Sequence, residues 1–418
     1  MVYLNNAATS FPKPPSVVQA MTEALANAPV SALRSNLSES DGVLTDLRRK
    51  LGTLFHIADY ERIYFCSSAT DAVNRVLGGL RLSSIKAAKD NHNSVLRPLM
   101  NDTRYLTTTD LEGKLDTRPL PPSNLEGEQS YLDVSGTRAV SPSFGGDLVL
   151  KRTKSSTGEA GTGTGEAGTG TGEAPALILP HCSNVTGEIH DIRQICHEAH
   201  RQGRLVMVDA AQSAGCIPID VDGWGIDILV FTGHKALFGP TGTGGYYVRR
   251  GIDLRPTQWG GTGRDSSVIR YDDGDWEYEV GTQNAVGLAG LRAGVDYVLE
   301  RGVENIFRRL QTETLWLIHA LQEMPRVKVY SAQDDAVQGP VVSFNIEGLH
   351  PADVGYILQN SYGITVRTGL HCAPLIHEDL GTQPDGTVRA SLSDFTTHED
   401  LIALAEAVGD ICQSLKRK

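Results

Sequence analysis

Apolar positions along this chain follow two rhythms, and the balance between them changes near residue 255. In the first part, short apolar runs alternate with amphipathic stretches. RIYFCS (62–67), RLVMVDAAQS (204–213), DILVF (227–231) and YYVRR (246–250) read as strands, the second and third of them buried. PSVVQAMTEALANA (15–28), LTDLRRKLGTLFH (44–56), SATDAVNRVLGGL (68–80) and IHDIRQICHEAHRQG (189–203) repeat apolar residues every three or four positions, as one buried helix face requires. Proline opens the first of these helices, small hydroxyl residues open the third, and glycine closes the fourth. Strand and helix in alternation predict an α/β domain with a mostly parallel sheet flanked by helices.

Beyond residue 255 the apolar repeats lengthen. NAVGLAGLRAGVDYVLERG (284–302) and ENIFRRLQTETLWLIHALQ (304–322) predict long helices. VVSFNI (341–346) and TVRASL (387–392) predict strands, and a helix over 398–415 closes the chain. The division expected is a large domain over 12–255 and a smaller α+β domain built from 1–11 and 256–418. One stretch has no apolar face at all. SSTGEAGTGTGEAGTGTGEA (155–174) is a tandem repeat with too little apolar surface to offset the entropy of ordering it. PLPPSNLEGEQ before it also lacks periodicity, so the expected surface insertion runs from about 119 to 174.

Composition narrows the function. A net charge of -12 over 418 residues, with a pI near 5.5, argues against a nucleic-acid partner, which needs a basic face. No apolar run reaches membrane-spanning length, and MVYLNNAATSFPKPP lacks the basic and apolar regions of a secretory signal. The six cysteines are widely spaced without a CxxC, which predicts no metal cluster and no disulfide framework. Free thiols in a reducing cytoplasm, one of them reactive, are the expectation.

The chemistry gathers where a parallel sheet places ligands, past the carboxyl ends of strands. TGHKALFGPTGTGG (232–245) sets one lysine just beyond an apolar strand and follows it with a proline and four glycines. An aldehyde cofactor of the pyridoxal phosphate type needs such an amine for its covalent link. It also needs an acid facing the pyridine nitrogen, a helix start with hydroxyls for the phosphate, an imidazole or aromatic plane against the ring, and a donor to the phenolic oxygen. Lys235, Asp209, Ala69 with Thr70, Thr232 with His234, His92, and Asn184 with Gln212 supply those parts in workable order.

The chain resembles the class V aminotransferase family of fold-type I pyridoxal-phosphate enzymes, and within it the cysteine desulfurases. The motifs are YLNNAATSFPKP (3–14), SSATDAVN (67–74), HNSVLRPL (92–99), HCSNVTGEI (181–189), VDAAQSAG (208–215), TGHKALFGPTGTGG (232–245), EVGTQN (279–284) and RTGLHCAP (367–374). The resemblance implies pyridoxal 5'-phosphate linked to Lys235, with Asp209 at the pyridinium, His92 stacked on the ring, and Asn184 and Gln212 at the phenolic oxygen. Ala69, Thr70, Thr232 and His234 would hold the phosphate, and Thr282 would reach the cofactor of a neighbouring subunit in a homodimer. Arg367 would pair with the substrate carboxylate. Cys372, five residues on, would attack the sulfur of L-cysteine, release alanine, and pass its persulfide sulfur to an acceptor protein or a small thiol. His92 would also shuttle a proton at the substrate.

The sequence departs from the family's pattern at Asn5, Ser68, Asn91, Gly215 and Thr396–Thr397. Other readings on the same scaffold are a selenocysteine lyase, a C–S lyase acting on a larger thioether, or an epimerase. A non-catalytic sulfur-relay scaffold is the reading from another class, and the intact Lys235, Asp209 and His92 argue against it.

Overall fold

The apolar runs of the first half pair into one seven-stranded sheet in the computed structural model, which describes residues 1–27, 42–102, 104, 148–151, 174–261, 267, 269–271, 277–332 and 334–415. The strands are β2 (Ile63–Cys66), β3 (Leu82–Ala87), β4 (Leu148–Lys151), β5 (Ala174–Pro180), β6 (Leu205–Asp209), β7 (Ile228–Thr232) and β8 (Gly244–Val248). Their spatial order is β2-β8-β7-β6-β5-β3-β4. β3, β5, β6 and β7 run parallel to one another, while β8 lies antiparallel between β7 and β2. Every residue of β7 and β8 is buried, as strands covered on both faces must be. Helix α3 (Ala69–Gly79) packs on β2, β7 and β8, and α5 (Ile192–Arg201) packs on β6. Helices α1 (Pro15–Ala26) and α2 (Gly42–Phe55) pack on α7 (Ala285–Arg301).

One sequence boundary holds and one shifts. The strand read from RLVMVDAAQS ends at Asp209 as expected, because the residues after it turn back in a run of short-range hydrogen bonds, Ser213 and Ala214 both donating to the Ala210 carbonyl. The stretch expected as an insertion contains β4, which pairs antiparallel with β3 through Ser84–Lys151 to Ala87–Leu148. LVLK has the apolar character of an edge strand, and the Gly/Thr/Glu-rich text around it hid that signal. The tandem repeat, up to residue 173, lies outside the described residues.

The second half forms a four-stranded antiparallel sheet in the order β9 (Val327–Tyr330), β10 (Val341–Ile346), β13 (Thr387–Ser391), β12 (Arg367–Gly369). Helices α8 (Val303–Gln322) and α9 (Pro351–Tyr362) pack on it, and α11 (His398–Leu415) packs on both helices. The N-terminal β1 (Val2–Tyr3) joins this half by pairing parallel with β11 (Ile364–Thr365). The chain then runs from residue 5 to residue 13 back to the large sheet. No helix among the described residues is long and apolar enough to cross a membrane.

Candidate active site

The carboxyl ends of β3, β5, β6 and β7 open on one cavity of about 180 Å³. Of the residues expected at a cofactor or substrate, Ala69, Thr70, His92, Asn184, Asp209, Gln212, Thr232, His234, Lys235 and Arg367 all line it. They come from six separate stretches of sequence: five are brought together because parallel strands end on the same edge, and Arg367 reaches it from β12 of the other sheet. Thr282 does not line it. It is exposed, on the loop before α7, and that loop is tied down by Glu279, which accepts from the Phe65 amide and pairs with Arg48.

Lys235 and Asp209 carry the main electrostatic feature. Burial lowers the Lys235 amine from 10.5 to about 8, against the opposing pull of the Asp209 carboxylate. Asp209 is itself buried, and its carboxyl is raised by that burial while the Ala211 amide and Lys235 hold it back. An amine at about 8 is a nucleophile near neutral pH, which an ordinary lysine is not. The reaction of Lys235 with a small aldehyde is therefore expected to be half-maximal near pH 8. Asp209→Asn removes the charge that favours the ammonium, so the midpoint should fall further. A midpoint that stays above pH 10 in the native protein would contradict the assignment.

His92 stands at the N-terminus of helix α4 (Asn93–Asn101), where its Nδ1 accepts from the Ser94 amide at 3.0 Å. That bond leaves the proton of the neutral ring on Nε2. Burial and the nearby cations Lys235, Arg367 and Arg389 push the imidazole down to about 4, so it is neutral at physiological pH. His234 is lowered to about 4 by burial and by Lys235 and Lys13, and its Nδ1 is buried without a hydrogen-bond partner.

The opposite wall holds an anion site. Arg367 on β12 and Arg389 on β13 are direct cross-strand partners, so their side chains share one face of the sheet. Like charges placed this way repel, and Arg389 is fully buried and lowered to about 9, by burial first and by Arg367 after it. Arg389 Nη1 donates to the Asn184 carbonyl, but its Nε and Nη2 have no partner. Two guanidinium groups with unspent donors on a cavity wall suit a carboxylate. Arg389 was missed at the sequence level. The available signal was an arginine inside an otherwise apolar strand, TVRASL, where a charge must have a reason to be buried.

Cys372 sits beside this wall, and Arg367 Nη2 donates to its Sγ at 3.1 Å. His371 and Cys372 both have left-handed backbone, with φ of 49° and 61°. Two such residues in succession cost on the order of 1–2 kcal/mol each. The loop is pinned in that shape from both sides. The Asn93 amide donates to the Cys372 carbonyl at 2.7 Å, and Asn184 Nδ2 donates to the His371 carbonyl at 2.6 Å. Helix α4 thus fixes His92 and Cys372 relative to each other. Cys182, Cys196, Cys216 and Cys412 are buried. Burial raises Cys66, Cys196 and Cys216 to about 12 and Cys182 well above its ordinary value.

These residues fit pyridoxal phosphate on observations independent of any family. His234 and Arg389 line the cavity, and each has buried nitrogens without a partner. Ala69 and Thr70 are the first two residues of α3, whose amides no preceding turn can serve, so they suit a phosphate. Ser68 caps that helix by accepting from the Asp71 amide. A Cβ at Gly244 would lie 2.8 Å from the Ser68 carbonyl carbon and 2.9 Å from its Cα. Only glycine lets β8 support the turn at this range. Gly244→Ala should therefore displace the helix start and weaken cofactor binding by about tenfold or more, read by equilibrium titration.

The mixed sheet with this constellation at its carboxyl edge has the architecture of fold-type I pyridoxal-phosphate-dependent transferases. The chain belongs to the class V aminotransferase family, whose model matches residues 2–98 and 171–404. It is 30% identical to a probable cysteine desulfurase of Methanothermobacter thermautotrophicus over 98% of this chain and 94% of that one. It is 28% identical to a cysteine desulfurase of Pectobacterium atrosepticum over 96% of this chain and 90% of the relative. Among solved structures, the apo cysteine desulfurase of Thermococcus onnurineus superposes with a TM-score of 0.76 at 26% identity, covering 99% of this chain and 95% of that one. An Escherichia coli cysteine desulfurase gives 0.75 at 26% identity with the same coverage.

Proposed function

We propose that the protein is a pyridoxal 5'-phosphate-dependent cysteine desulfurase that converts L-cysteine to alanine through a persulfide on Cys372. The observation that carries this reading is the meeting, at one cavity, of Lys235 and Asp209 with two arginines, one of which holds the sulfur of a cysteine. The relatives and solved structures named above support the substrate.

When bound, the cofactor supplies an electron sink next to the substrate amine. Lys235 would hold it through an amine that, at about 8, can also take the Cα proton near neutral pH. Asp209 would keep its pyridine nitrogen protonated. His92, a neutral imidazole, would move a proton at the substrate amine or thiol. Ala69, Thr70, Thr232 and His234 would hold its phosphate, and Asn184 and Gln212 its phenolic oxygen. Arg389 takes the substrate carboxylate, with Arg367 shared between that carboxylate and Cys372. The substrate side chain then faces Cys372. Its sulfur bonds to Cys372 Sγ as the substrate C–S bond breaks, and the freed carbon takes a proton. The sum is one thiol and one cysteine giving one persulfide and alanine, with no outside oxidant. The sulfur then passes to an acceptor protein or small thiol.

Thr282 reaches the phosphate site of a second copy in this reading, which makes the working form a homodimer. Its exposure, on a loop anchored by Glu279, supports that role. The wide spacing of the six cysteines, without a CxxC, supports a cytoplasmic location.

The test is incubation of cofactor-loaded protein with L-cysteine, measuring alanine and sulfide with and without reductant, beside selenocysteine. Alanine in step with sulfur released by reductant is expected. Alanine from selenocysteine alone would make the protein a lyase of the heavier substrate. Arg389→Gln should raise KM for L-cysteine by about a hundredfold, because the remaining carboxylate loses a buried charged partner. A KM that stays within twofold would remove Arg389 from the substrate site.

A further inference from the structure

The segment between β1 and α1 touches both halves of the active site. At one end it is held to β13, the strand that carries Arg389. The Ala7 amide donates to Ser391 Oγ at 2.8 Å, Asn6 Nδ2 donates to the Ser391 carbonyl at 3.0 Å, and the Ser391 amide donates to the Leu4 carbonyl at 2.8 Å. Ser391 and Arg389 are two residues apart on one strand, hence on the same face. In the middle, Ala7 and Ala8 line the cavity, and Gln212 Nε2 donates to the Ala7 carbonyl at 3.1 Å.

At the other end the segment grips the backbone of Lys235 and the residue before it. Ser10 Oγ lies 2.6 Å from the Lys235 carbonyl and 3.2 Å from that of His234. One hydroxyl has one proton, and the shorter contact is the bond. Lys13 Nζ donates to Ser10 Oγ at 2.8 Å and to the His234 carbonyl at 2.9 Å. The Ser10 amide and Thr9 Oγ1 reach the same His234 carbonyl, each at 3.1 Å. The Lys235 carbonyl also accepts from the Phe238 amide at 2.9 Å, so the turn that presents the lysine is fixed by the N-terminal segment and by itself.

We propose that residues 6–13 are a strap that couples the strand carrying Arg389 to the backbone of Lys235, with Lys13 and Ser10 as positioning residues for the reactive amine. Nothing else explains why Lys13 is drawn inward. Burial lowers its ammonium to about 8, and among the described residues no carboxylate pairs with it. Taking an unpaired ammonium partly out of water is unfavourable, and both its bonds go to the strap and to the Lys235 turn. Substrate bound through its carboxylate on β13 therefore has a hydrogen-bonded route to the lysine that must take its proton. The catalytic part of this inference rests on the function proposed above. The structural part does not.

Two measurements separate them. The first is hydrogen exchange of the Phe238 and Gly239 amides in the full chain without added cofactor. Lys13→Met at the near end and Ser391→Ala at the far end should each speed that exchange about tenfold, with melting temperatures changed by only a few degrees. Lys13→Arg, which keeps the donors, should restore protection. The second is steady-state kinetics of the loaded enzyme. Lys13→Met should lower kcat for alanine release about tenfold with KM within twofold. Lys13→Met and Ser10→Ala combined should lose little more than either alone, since both break one chain of bonds. Unchanged exchange in the Ser391→Ala protein, or losses that add independently, would overturn the strap. If the native protein binds no pyridoxal phosphate, the proposed function fails, and the strap still stands or falls on the exchange result.

Discussion

Cys372→Ala is expected to abolish alanine and sulfide formation from L-cysteine, to below about 1% of the native rate, while leaving the cofactor absorbance at about 420 nm intact. Access and ionisation decide which thiol can react. Cys372 is the thiol that Arg367 holds beside the cavity wall, on a loop whose left-handed backbone is fixed by Asn93 and Asn184. A substitute would have to come from the remaining cysteines. With thiols at about 12, Cys66, Cys196 and Cys216 are ionised in only about one molecule in 10⁵ at neutral pH. Cys182 lines the cavity, but burial raises its thiol well above the ordinary value. No neighbour can replace Cys372 as a thiolate. Alanine released at the native rate by the variant would mean that sulfur leaves without a protein thiol, and the desulfurase mechanism would be wrong.

Lys235→Ala is expected to remove the band at about 420 nm altogether and to lower kcat at least 10⁴-fold, because it deletes both the covalent anchor and the proton-transferring amine. The remaining contacts differ in kind. The α3 terminus, Thr232 and His234 can still hold a phosphate, so weakened binding of free cofactor should persist in equilibrium dialysis. Added methylamine should restore a part of the rate if the missing group is an amine acting as base. A variant that keeps its band would place the covalent link on another lysine. Lys13 is the candidate to check, since it too is lowered to about 8.

The order of the motifs was legible because each lies at a point where the backbone changes direction. An apolar run ends, small residues follow, and a polar group is presented, as at Asp209 and at Thr232–Lys235. Ten of the twelve residues expected at the site line one cavity, nine of them because parallel strands deliver their ends to the same edge, and Arg367 from β12 of the other sheet. Arg389 was not legible by the same logic. It lies in the middle of a strand and not at its end, and its function depends on the strand opposite. Pairing with β12 sets it against Arg367, and that register appears in no local pattern. The edge strand β4 was hidden because four residues are too few to show periodicity amid a glycine-rich stretch. Asn91, a departure from the family pattern, has a local account: its Nδ2 donates to the Ala88 and Ile178 carbonyls and closes the turn into α4. Gly215 is explained by close approach, since a Cβ there would lie 2.5 Å from the Ala236 carbonyl oxygen.

The sequence by itself determined the α/β rhythm and singled out the lysine, carboxylate and cysteine proposed to carry the chemistry. These follow from local periodicity and residue chemistry, which act over a few neighbours. Only the tertiary structure decided that two arginines share one wall, that Asn93 and Asn184 hold Cys372 in a strained turn, and that residues 6–13 join β13 to the Lys235 backbone. Those contacts span up to 385 positions in the chain. They exist because strand register and the packing of the two halves bring distant donors and acceptors within hydrogen-bonding range.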